Sequence, residues 1–394
     1  MSLFKRPLLT QLIHLHITFE IKMTIKGLWN YIAKNCPHIC EEIPQSNLTG
    51  HRIAIDAGTW LYPIRAIASK DVIQRTDVLR YEPDNGEIDR IWMTKVLIYL
   101  LDMLERGITP VLCFDGKSPS AKNATSIKRD DDRRVRQEKL NLIRSKGDLL
   151  FTAVDLVEAR KLMYNLSYVP RESSRNMREF LYGIGVPCLQ GSDGVEAERV
   201  ASVMVTLGIA AACYSADSDC FAHKSHILIR GKGKDLYNSS GFQVPSFNIV
   251  RLNRLLAHLE LKFSQFVDLC IMAGCDYNAN MKGISFCKSL PLIRTHMSLE
   301  YLPSKYDTTC LNIETCRDMF KHEELCDLID EYDSVTFDFQ VDIEECCSET
   351  LRMFCINDYS ERMTRLQRGY ITPSDYHHPN VDPVCENGII LIVI

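Results

Sequence analysis

The chain has 394 residues, of which 46% are hydrophobic and 25% charged, and its formal net charge is -5 at pH 7. This composition is ordinary for a globular protein and allows one large domain or two smaller ones. The negative charge argues against a uniformly basic protein that coats nucleic acid, although a local basic patch is still compatible with it.

Sixteen cysteines are scattered along the chain, mostly within apolar segments. This is typical of reduced thiols in an intracellular protein. No run of about 18 apolar residues is present, so we predict no membrane-spanning helix. Residues 1–22 precede a second methionine, Met23, and lack the pattern of a secretory signal. We interpret them as an N-terminal extension.

Five short apolar runs rich in β-forming residues predict strands at Arg52–Asp56, Thr109–Phe114, Val186–Leu189, Ala210–Tyr214 and His226–Ile229. Helical patterns lie between them at Ile91–Arg106, Asn176–Gly183 and Glu196–Leu207. We expect Asp193 to be the N-cap of the last of these helices. Alternation of strand and helix predicts an α/β fold with a mainly parallel sheet covered by helices on both faces.

The segment from Lys117 to Lys146 is strongly basic, with ten Lys or Arg against four Asp or Glu. Such a run is often only a solvated helix. Its position directly after a predicted strand favours an insertion that overhangs the edge of the sheet, where its bases would hold phosphates. Helix-forming residues continue through Val154–Leu162, so we predict a helical cap over residues 117–175.

A helix–turn–helix pattern occupies Phe263–Leu290, with Gly283 in the connection. Such a turn offers backbone N–H groups to a phosphate. From about Tyr301 the chain becomes acidic and irregular, and we assign no function to residues 291–394.

Seven acidic residues lie at or just beyond the ends of apolar runs. They are Asp56, Asp115, Glu196, Glu198, Asp217, Asp219 and Asp276. Carboxylates at the ends of parallel strands meet in one crevice, where they repel one another unless cations are present. Their oxygens suit Mg²⁺ or Mn²⁺, and a site with two such ions is a common device for cutting phosphodiesters. The pattern therefore predicts a metal-dependent nuclease.

Each of these acids also has a simpler interpretation. Asp217 and Asp219 could be solvated turn residues, Glu196 and Glu198 could favour the dipole of a helix, and Asp276 could be an N-cap. Six motifs in order favour the metal site. They are TIKGLWNYI, IAIDAGTWLY, PVLCFDGKSPSAK, DGVEAERVA, ADSDC and CIMAGCDYNANMKGIS. Together they resemble the flap endonuclease/XPG family of structure-specific 5′ nucleases over about residues 24–290.

The resemblance implies a PIN-like sheet with a helical arch and a helix–two-turn–helix element that binds DNA. The nuclease core would span 23–290, divided into 23–116, the arch at 117–175, and 176–290. The seven carboxylates would hold two Mg²⁺ or Mn²⁺ ions. Lys122 and Arg129 would contact the scissile phosphate, Tyr62 would stack on the flipped nucleotide, and Gly283 would bind the uncut strand, with a K⁺ ion in several relatives.

The implied activity is cleavage of DNA flaps or single-strand/double-strand junctions in replication, repair or recombination. We expect a monomer that binds branched or flap DNA, in the nucleus or at a cytoplasmic site of replication. Ser285 stands where the family has a second glycine, and no sliding-clamp motif is present. Two alternatives stay open: a 5′→3′ exoribonuclease, and a non-catalytic scaffold that binds DNA junctions.

Overall fold

The computed structural model describes residues 25–117, 123–147, 150–166, 169–237, 241–278, 280–321, 325–329, 385–386 and 389–390. For 123–129 and for the last four described residues only the backbone is described. The predicted extension at 1–22 lies outside the described residues, as does most of the acidic C-terminal region.

A seven-stranded sheet forms the centre of the fold, in the order β1-β9-β6-β5-β2-β3-β4. Its strands are β1 (Cys40–Pro44), β2 (Arg52–Asp56), β3 (Thr109–Phe114), β4 (Cys188–Gln190), β5 (Ala212–Tyr214), β6 (Ile227–Lys232) and β9 (Ser246–Arg251). The five strands from β6 to β4 are mutually parallel. Two short hairpins, β7 (Leu236–Tyr237) with β8 (Gln243–Val244) and β10 (Cys385–Glu386) with β11 (Ile389–Ile390), lie outside this sheet.

Helices connect the strands and cover both faces of the sheet. They are α1 (Leu28–Asn35), α2 (Ala57–Arg75), α3 (Asn85–Leu104), α4 (Asn123–Arg144), α5 (Ala153–Leu166), α6 (Arg171–Gly183), α7 (Ala197–Thr206), α8 (Asp219–Ala222), α9 (Leu252–Leu259), α10 (Phe263–Ala273), α11 (Phe286–His296) and α12 (Ile313–Met319).

Side chains of the central strands alternate between two hydrophobic cores, as the two-residue period of a strand requires. Ile53 and Ile55 pack with α2, α3 and α6 on one face. Ala54 points to the other face, where α1, α7 and α9–α11 pack. This second core continues through α12 to Ile329, and Ile329 forms an isolated β-bridge with Gly191. The packing of the nuclease core therefore extends beyond residue 290.

The predicted α/β class and the mainly parallel sheet are confirmed, and β2 and β3 have the predicted bounds. The antiparallel pairing of β1 and β9 with the sheet edge was not predicted, because neither segment has a strong alternation of apolar residues. Asp193 as N-cap was wrong. Glu196 occupies the N-cap position of α7, whereas Asp193 accepts a hydrogen bond from Lys117 at 2.8 Å.

A small third core joins the cap to α2. It includes Leu140 of α4, Ala159 and Leu162 of α5, and Ile73 near the end of α2. Residues 123–166 therefore contain two helices that pack on each other and on α2. Across the described ranges, none of the helices is both long enough and apolar enough to cross a membrane.

Candidate metal centre and the adjoining pocket

The carboxyl ends of β2, β3 and β5 lie side by side, because these strands are neighbours and parallel. Asp56 is the last residue of β2 and Asp115 follows β3 directly. Asp217 lies three residues after β5. The topology therefore brings three of the predicted metal ligands to one edge of the sheet, where ligands bind in open α/β folds.

Asp56 is buried and held in place by two hydroxyl groups. Thr59 donates to it from both its backbone N–H (3.1 Å) and its hydroxyl group (2.5 Å). Ser215 donates to the same carboxylate at 2.9 Å. Because Asp56 is also the N-cap of α2, its carboxylate is fixed by the start of that helix and by the loop after β5.

Asp115 lies at the exposed rim, and its Oδ1 accepts a hydrogen bond from the backbone N–H of Ala197 at 2.9 Å. The following Gly116 is required by close packing. A Cβ at this position would lie 1.9 Å from the carbonyl oxygen of Ser192, far inside van der Waals contact. The glycine lets the loop after β3 approach the loop before α7, which brings Asp115 to the acids of α7.

Glu196 and Glu198 are both buried, at the start of α7. The hydroxyl group of Tyr277 donates to Glu196 at 2.6 Å. Burial raises the pKa of Tyr277 well above its usual value, and the charges of Glu196, Glu198 and Asp219 raise it further. Tyr277 therefore lies among several carboxylates and is held neutral, as a hydrogen-bond donor, by its surroundings.

Asp217 and Asp219 are 4% and 2% exposed. The backbone N–H of Asp219 donates to Asp217 at 2.8 Å, and the N–H of Asp217 donates to the Ser215 hydroxyl group at 3.0 Å. Burial raises the pKa of Asp217 well above its usual range, and the neighbouring Asp219 and Glu198 raise it further. The predicted ligands Glu198, Asp217 and Asp219 are therefore close enough for their charges to repel one another.

Residues 25–29 and the segment after α10 buttress this loop. The backbone N–H of Ile25 donates to Ser218 at 3.0 Å, and the indole of Trp29 donates to the carbonyl of Ala216 at 3.0 Å. The N–H of Lys26 donates to the carbonyl of Gly274 at 2.9 Å. Asp276 is partly buried two residues further on, beside Tyr277. Asp276 thus directly precedes the tyrosine that donates to Glu196.

The donor set fits hard divalent cations, because it consists of carboxylate oxygens, several of them buried. Their like charges raise the pKa of Asp217. Within the described ranges, no three His, Cys, Asp or Glu side chains already have the spacing of a metal site. Mg²⁺ does not require this, because it commonly binds one or two carboxylates and keeps several waters. The crevice is therefore suited to hydrated ions.

A pocket of about 130 Å³ adjoins the crevice at Asp115. Tyr62, which is 47% exposed, lines it together with Phe114 and Trp92. Burial, with Asp115 and Asp56, raises the pKa of Tyr62. The predicted stacking residue therefore lies beside two of the predicted metal ligands, with part of its ring accessible.

The other predicted residues lie away from this edge or outside the described side chains. Lys122 lies outside the described residues, and Arg129 is within α4 but its side chain is not described. Gly283 adopts a left-handed conformation (φ +77°) in the connection between α10 and α11, where a Cβ would meet no atom within 4 Å. Its carbonyl accepts a hydrogen bond from Lys288 at 2.9 Å.

Sequence reasoning missed the residues that hold the acids, namely Thr59, Ser215 and Tyr277. It also missed Arg178 and Gln190, which line the adjoining pocket. Hydroxyl and amide side chains carry little signal, because they are common in turns and on surfaces. Thr59, three residues after Asp56, was the most detectable, because this spacing is that of an N-cap pair. Tyr277 lies 81 residues from its partner Glu196, so only the tertiary fold reveals that contact.

Two family models match parts of this chain. Residues 23–136 match the XPG N-terminal domain, and residues 185–276 match the XPG I-region. The two matches include all seven predicted metal carboxylates. They are separated by 137–184, which contains the end of α4 and all of α5 and α6.

Flap endonuclease 1 of Xiphophorus maculatus is 32% identical over 290 residues, which are 73% of this chain and 70% of that protein. Flap endonuclease 1 of Cryptosporidium muris is 28% identical over 309 residues, which are 77% of this chain. Only 62% of that longer relative is spanned. In structure, flap endonuclease-1 from Methanococcus jannaschii matches with a TM-score of 0.55 and 20% identity, over 84% of this chain and 97% of that one. The chain belongs to the flap endonuclease/XPG family of nucleases.

Proposed function

We propose that this protein is a divalent-metal-dependent, structure-specific 5′ nuclease that hydrolyses phosphodiesters at DNA flaps or single-strand/double-strand junctions. The observation that carries the proposal is the buried cluster of Glu198, Asp217 and Asp219 beside Asp56 and Asp115. Buried acids of like charge are costly without cations. The family to which the chain belongs supports the same activity.

Two Mg²⁺ or Mn²⁺ ions would be held by the seven carboxylates named above. Bound there, the ions would supply Lewis-acid chemistry, namely a water that is nucleophilic at neutral pH and charge stabilisation at the leaving oxygen. The protein itself holds the carboxylates in position. Thr59 and Ser215 orient Asp56, the N–H of Ala197 orients Asp115, and Tyr277 orients Glu196.

In the reaction, the water oxygen attaches to phosphorus and the bond from phosphorus to the 3′ oxygen breaks. The products are a 5′ phosphate and a 3′ hydroxyl group. Lys122 and Arg129, in the arch at 117–175, would add positive charge where it develops on the phosphate. Tyr62 would stack on the displaced nucleotide.

Substrate choice would come from shape rather than base contacts. A strand must fray and pass the cap helices to reach the crevice, and unpairing costs least at a flap or an end. Gly283 and the turn around it would hold the uncut duplex through backbone N–H groups. The protein would act as a monomer on branched DNA.

The deciding experiment is cleavage of a 5′-labelled double-flap DNA in Mg²⁺, with single-stranded, blunt-duplex and RNA substrates in parallel. The control is the Asp217→Ala/Asp219→Ala double variant. The proposal expects a cut at the junction that the double variant loses while it still binds the DNA. Preference for RNA would support the exoribonuclease instead. Binding without metal-dependent cleavage by the wild type would support the scaffold.

A further inference from the structure

Arg178 is an exposed arginine on α6 that faces the pocket beside Asp115. Its guanidinium donates to Oε1 of Gln190 at 2.5 Å and lies over the ring of Phe114, 5.9 Å from its centroid. Gln190 donates in turn to the backbone carbonyl of Asp115. Two contacts therefore place the charge of Arg178 close to a predicted metal ligand.

The guanidinium keeps donors for a ligand. Its five N–H groups exceed what one amide oxygen can accept, and no ion pair joins it to an acid within the described part of the chain. Tyr62 lines the same pocket. Arg178 lowers the pKa of Tyr62, against the stronger effect of burial. Arginine and tyrosine thus face the same small space.

The walls of the pocket suit one nucleotide. Leu61, Trp92 and Met177 make its inner surface apolar, and the exposed ring of Tyr62 offers a stacking face. Its volume is about 130 Å³. A planar guanidinium at the rim matches a phosphate, which it can contact through two parallel N–H donors.

We propose that Arg178 binds the phosphate next to the scissile phosphate on the cleaved strand, while Tyr62 stacks on the nucleotide between them. This inference rests on the proposed function. It adds a binding residue on α6, in the segment that neither family-model match includes. Arg178 positions the strand and takes no part in bond breaking, so its loss acts first on binding.

The test uses the full chain and a double-flap DNA in EDTA, with binding followed by fluorescence anisotropy at several salt concentrations. Arg178→Ala is expected to raise the Kd about 10-fold, as the loss of a charged hydrogen bond does. The slope of log K against log salt is expected to fall by about 0.7–0.9, the value for one phosphate contact. Arg178→Lys keeps the charge but not the fork, so it is expected to recover the slope and only part of the affinity.

Arg175→Ala is the matched control. Arg175 is on the same helix, one turn earlier, and its side chain is 63% exposed and lies 3.8 Å from Glu179. It does not line the pocket, so its removal changes the same net charge without the proposed contact. Its Kd and salt slope are expected to stay close to those of the wild type.

Methylphosphonate substitution identifies the phosphate. Neutralising the phosphates around the cut one at a time is expected to weaken wild-type binding at the position beside the scissile phosphate. The same substitution is not expected to weaken DNA binding by the Arg178→Ala variant any further. If neutralising each phosphate weakens binding by the wild type and by Arg178→Ala to the same extent, the inference is overturned.

A structural role would give a different result. If Arg178 only orients Asp115 through Gln190, then Gln190→Ala and Arg178→Ala would lower kcat in Mg²⁺ equally and leave the salt slope unchanged. That outcome also overturns the inference. It leaves the proposed function intact as long as the wild type cuts flap DNA, whereas a wild type that neither binds nor cuts flap DNA refutes both.

Discussion

At the scale of single residues, the crevice depends on uncharged groups that hold charged ones. Tyr277 donates a hydrogen bond to Glu196, and Thr59 and Ser215 donate hydrogen bonds to Asp56. A carboxylate with a fixed rotamer presents its oxygens at a fixed place, which is what an ordered cation site requires. The proposed activity therefore depends on these supporting contacts as well as on the acids.

Tyr277→Phe tests this dependence. The variant keeps the ring and removes only the donor to Glu196, so we expect kcat to fall about 10-fold, in line with losing a hydrogen bond to a charged group. We expect little change in fold. Cleavage kinetics in Mg²⁺ and a thermal melt measure the two effects. Tyr301→Phe, at a 73% exposed tyrosine, is the control, and equal losses in both variants would contradict the prediction.

Gly116→Ala tests the close approach of two loops. The new methyl group would overlap the carbonyl oxygen of Ser192, so the backbone must move and Asp115 moves with it. We expect a loss of about 1–3 kcal/mol in the free energy of unfolding and a larger fractional loss of activity. Urea unfolding measures the first quantity. Gly86→Ala is the control, because the nearest atom there is a side-chain oxygen at 3.3 Å.

At the scale of elements, an arginine joins α12 to α10. Arg317 donates to both oxygens of Asp268, at 2.7 and 2.8 Å, and also pairs with Glu300. Asp268 is 3% exposed and also accepts a hydrogen bond from the backbone N–H of Leu299. The side chain of Arg317 is 34% exposed, so solvent screening keeps the cost of losing the arginine below the about 3–5 kcal/mol of a fully buried pair. This ion-pair cluster ties the segment after residue 290 to the nuclease core.

The Glu300 part of this cluster predicts a pH dependence. Hydrogen bonds from Arg317 and Ser298 lower the pKa of Glu300 from 4.5 to about 2. A lowered folded-state pKa stabilises the fold above the unfolded pKa, and this contribution disappears as the pH falls toward the folded value. The side chain is 51% exposed, so solvent screening keeps the contribution below about 1 kcal/mol.

We therefore expect wild type and Glu300→Gln to differ slightly in free energy of unfolding above pH 5 and to converge as the pH approaches 2. Urea unfolding at several pH values measures this difference. In an Arg317→Ala background, the pH-dependent effect of Glu300→Gln should be smaller, because only the hydrogen bond from Ser298 then lowers the pKa of Glu300. A difference that grows on acidification would have the wrong sign.

At the scale of the whole molecule, the fold gathers acids whose repulsion it must balance. Asp217, Asp219 and Glu198 raise the energy of the cation-free protein, and the rest of the core offsets this cost. Stability and the proposed function thus oppose each other at this site, as is common for a charged active site.

Asp217→Asn is expected to show this opposition. In EDTA, losing one buried like charge should raise the free energy of unfolding. In Mg²⁺ the wild type should gain stability by mass action, and the variant should gain less. Thermal melts across a Mg²⁺ titration measure both effects. Asp193→Asn, at an exposed acid paired with Lys117, should show neither change.

The sequence by itself predicted the class of fold and the acids that lie at the ends of its apolar runs. Apolar runs ending in carboxylates identified β2 and β3 to the residue, because a buried parallel strand must be continuously apolar and its end must return to solvent. It did not reveal β1 and β9, whose pairing depends on an edge partner some 200 residues away.

Only the tertiary structure decided which neutral groups hold the acids, and that the core continues past residue 290. The tertiary structure also brings Arg178 and Tyr62 to the same pocket. Each of these depends on contacts between segments far apart in the chain. Local patterns record the propensity and burial of a residue, whereas the identity of its distant partner is set only when the helices pack on the sheet.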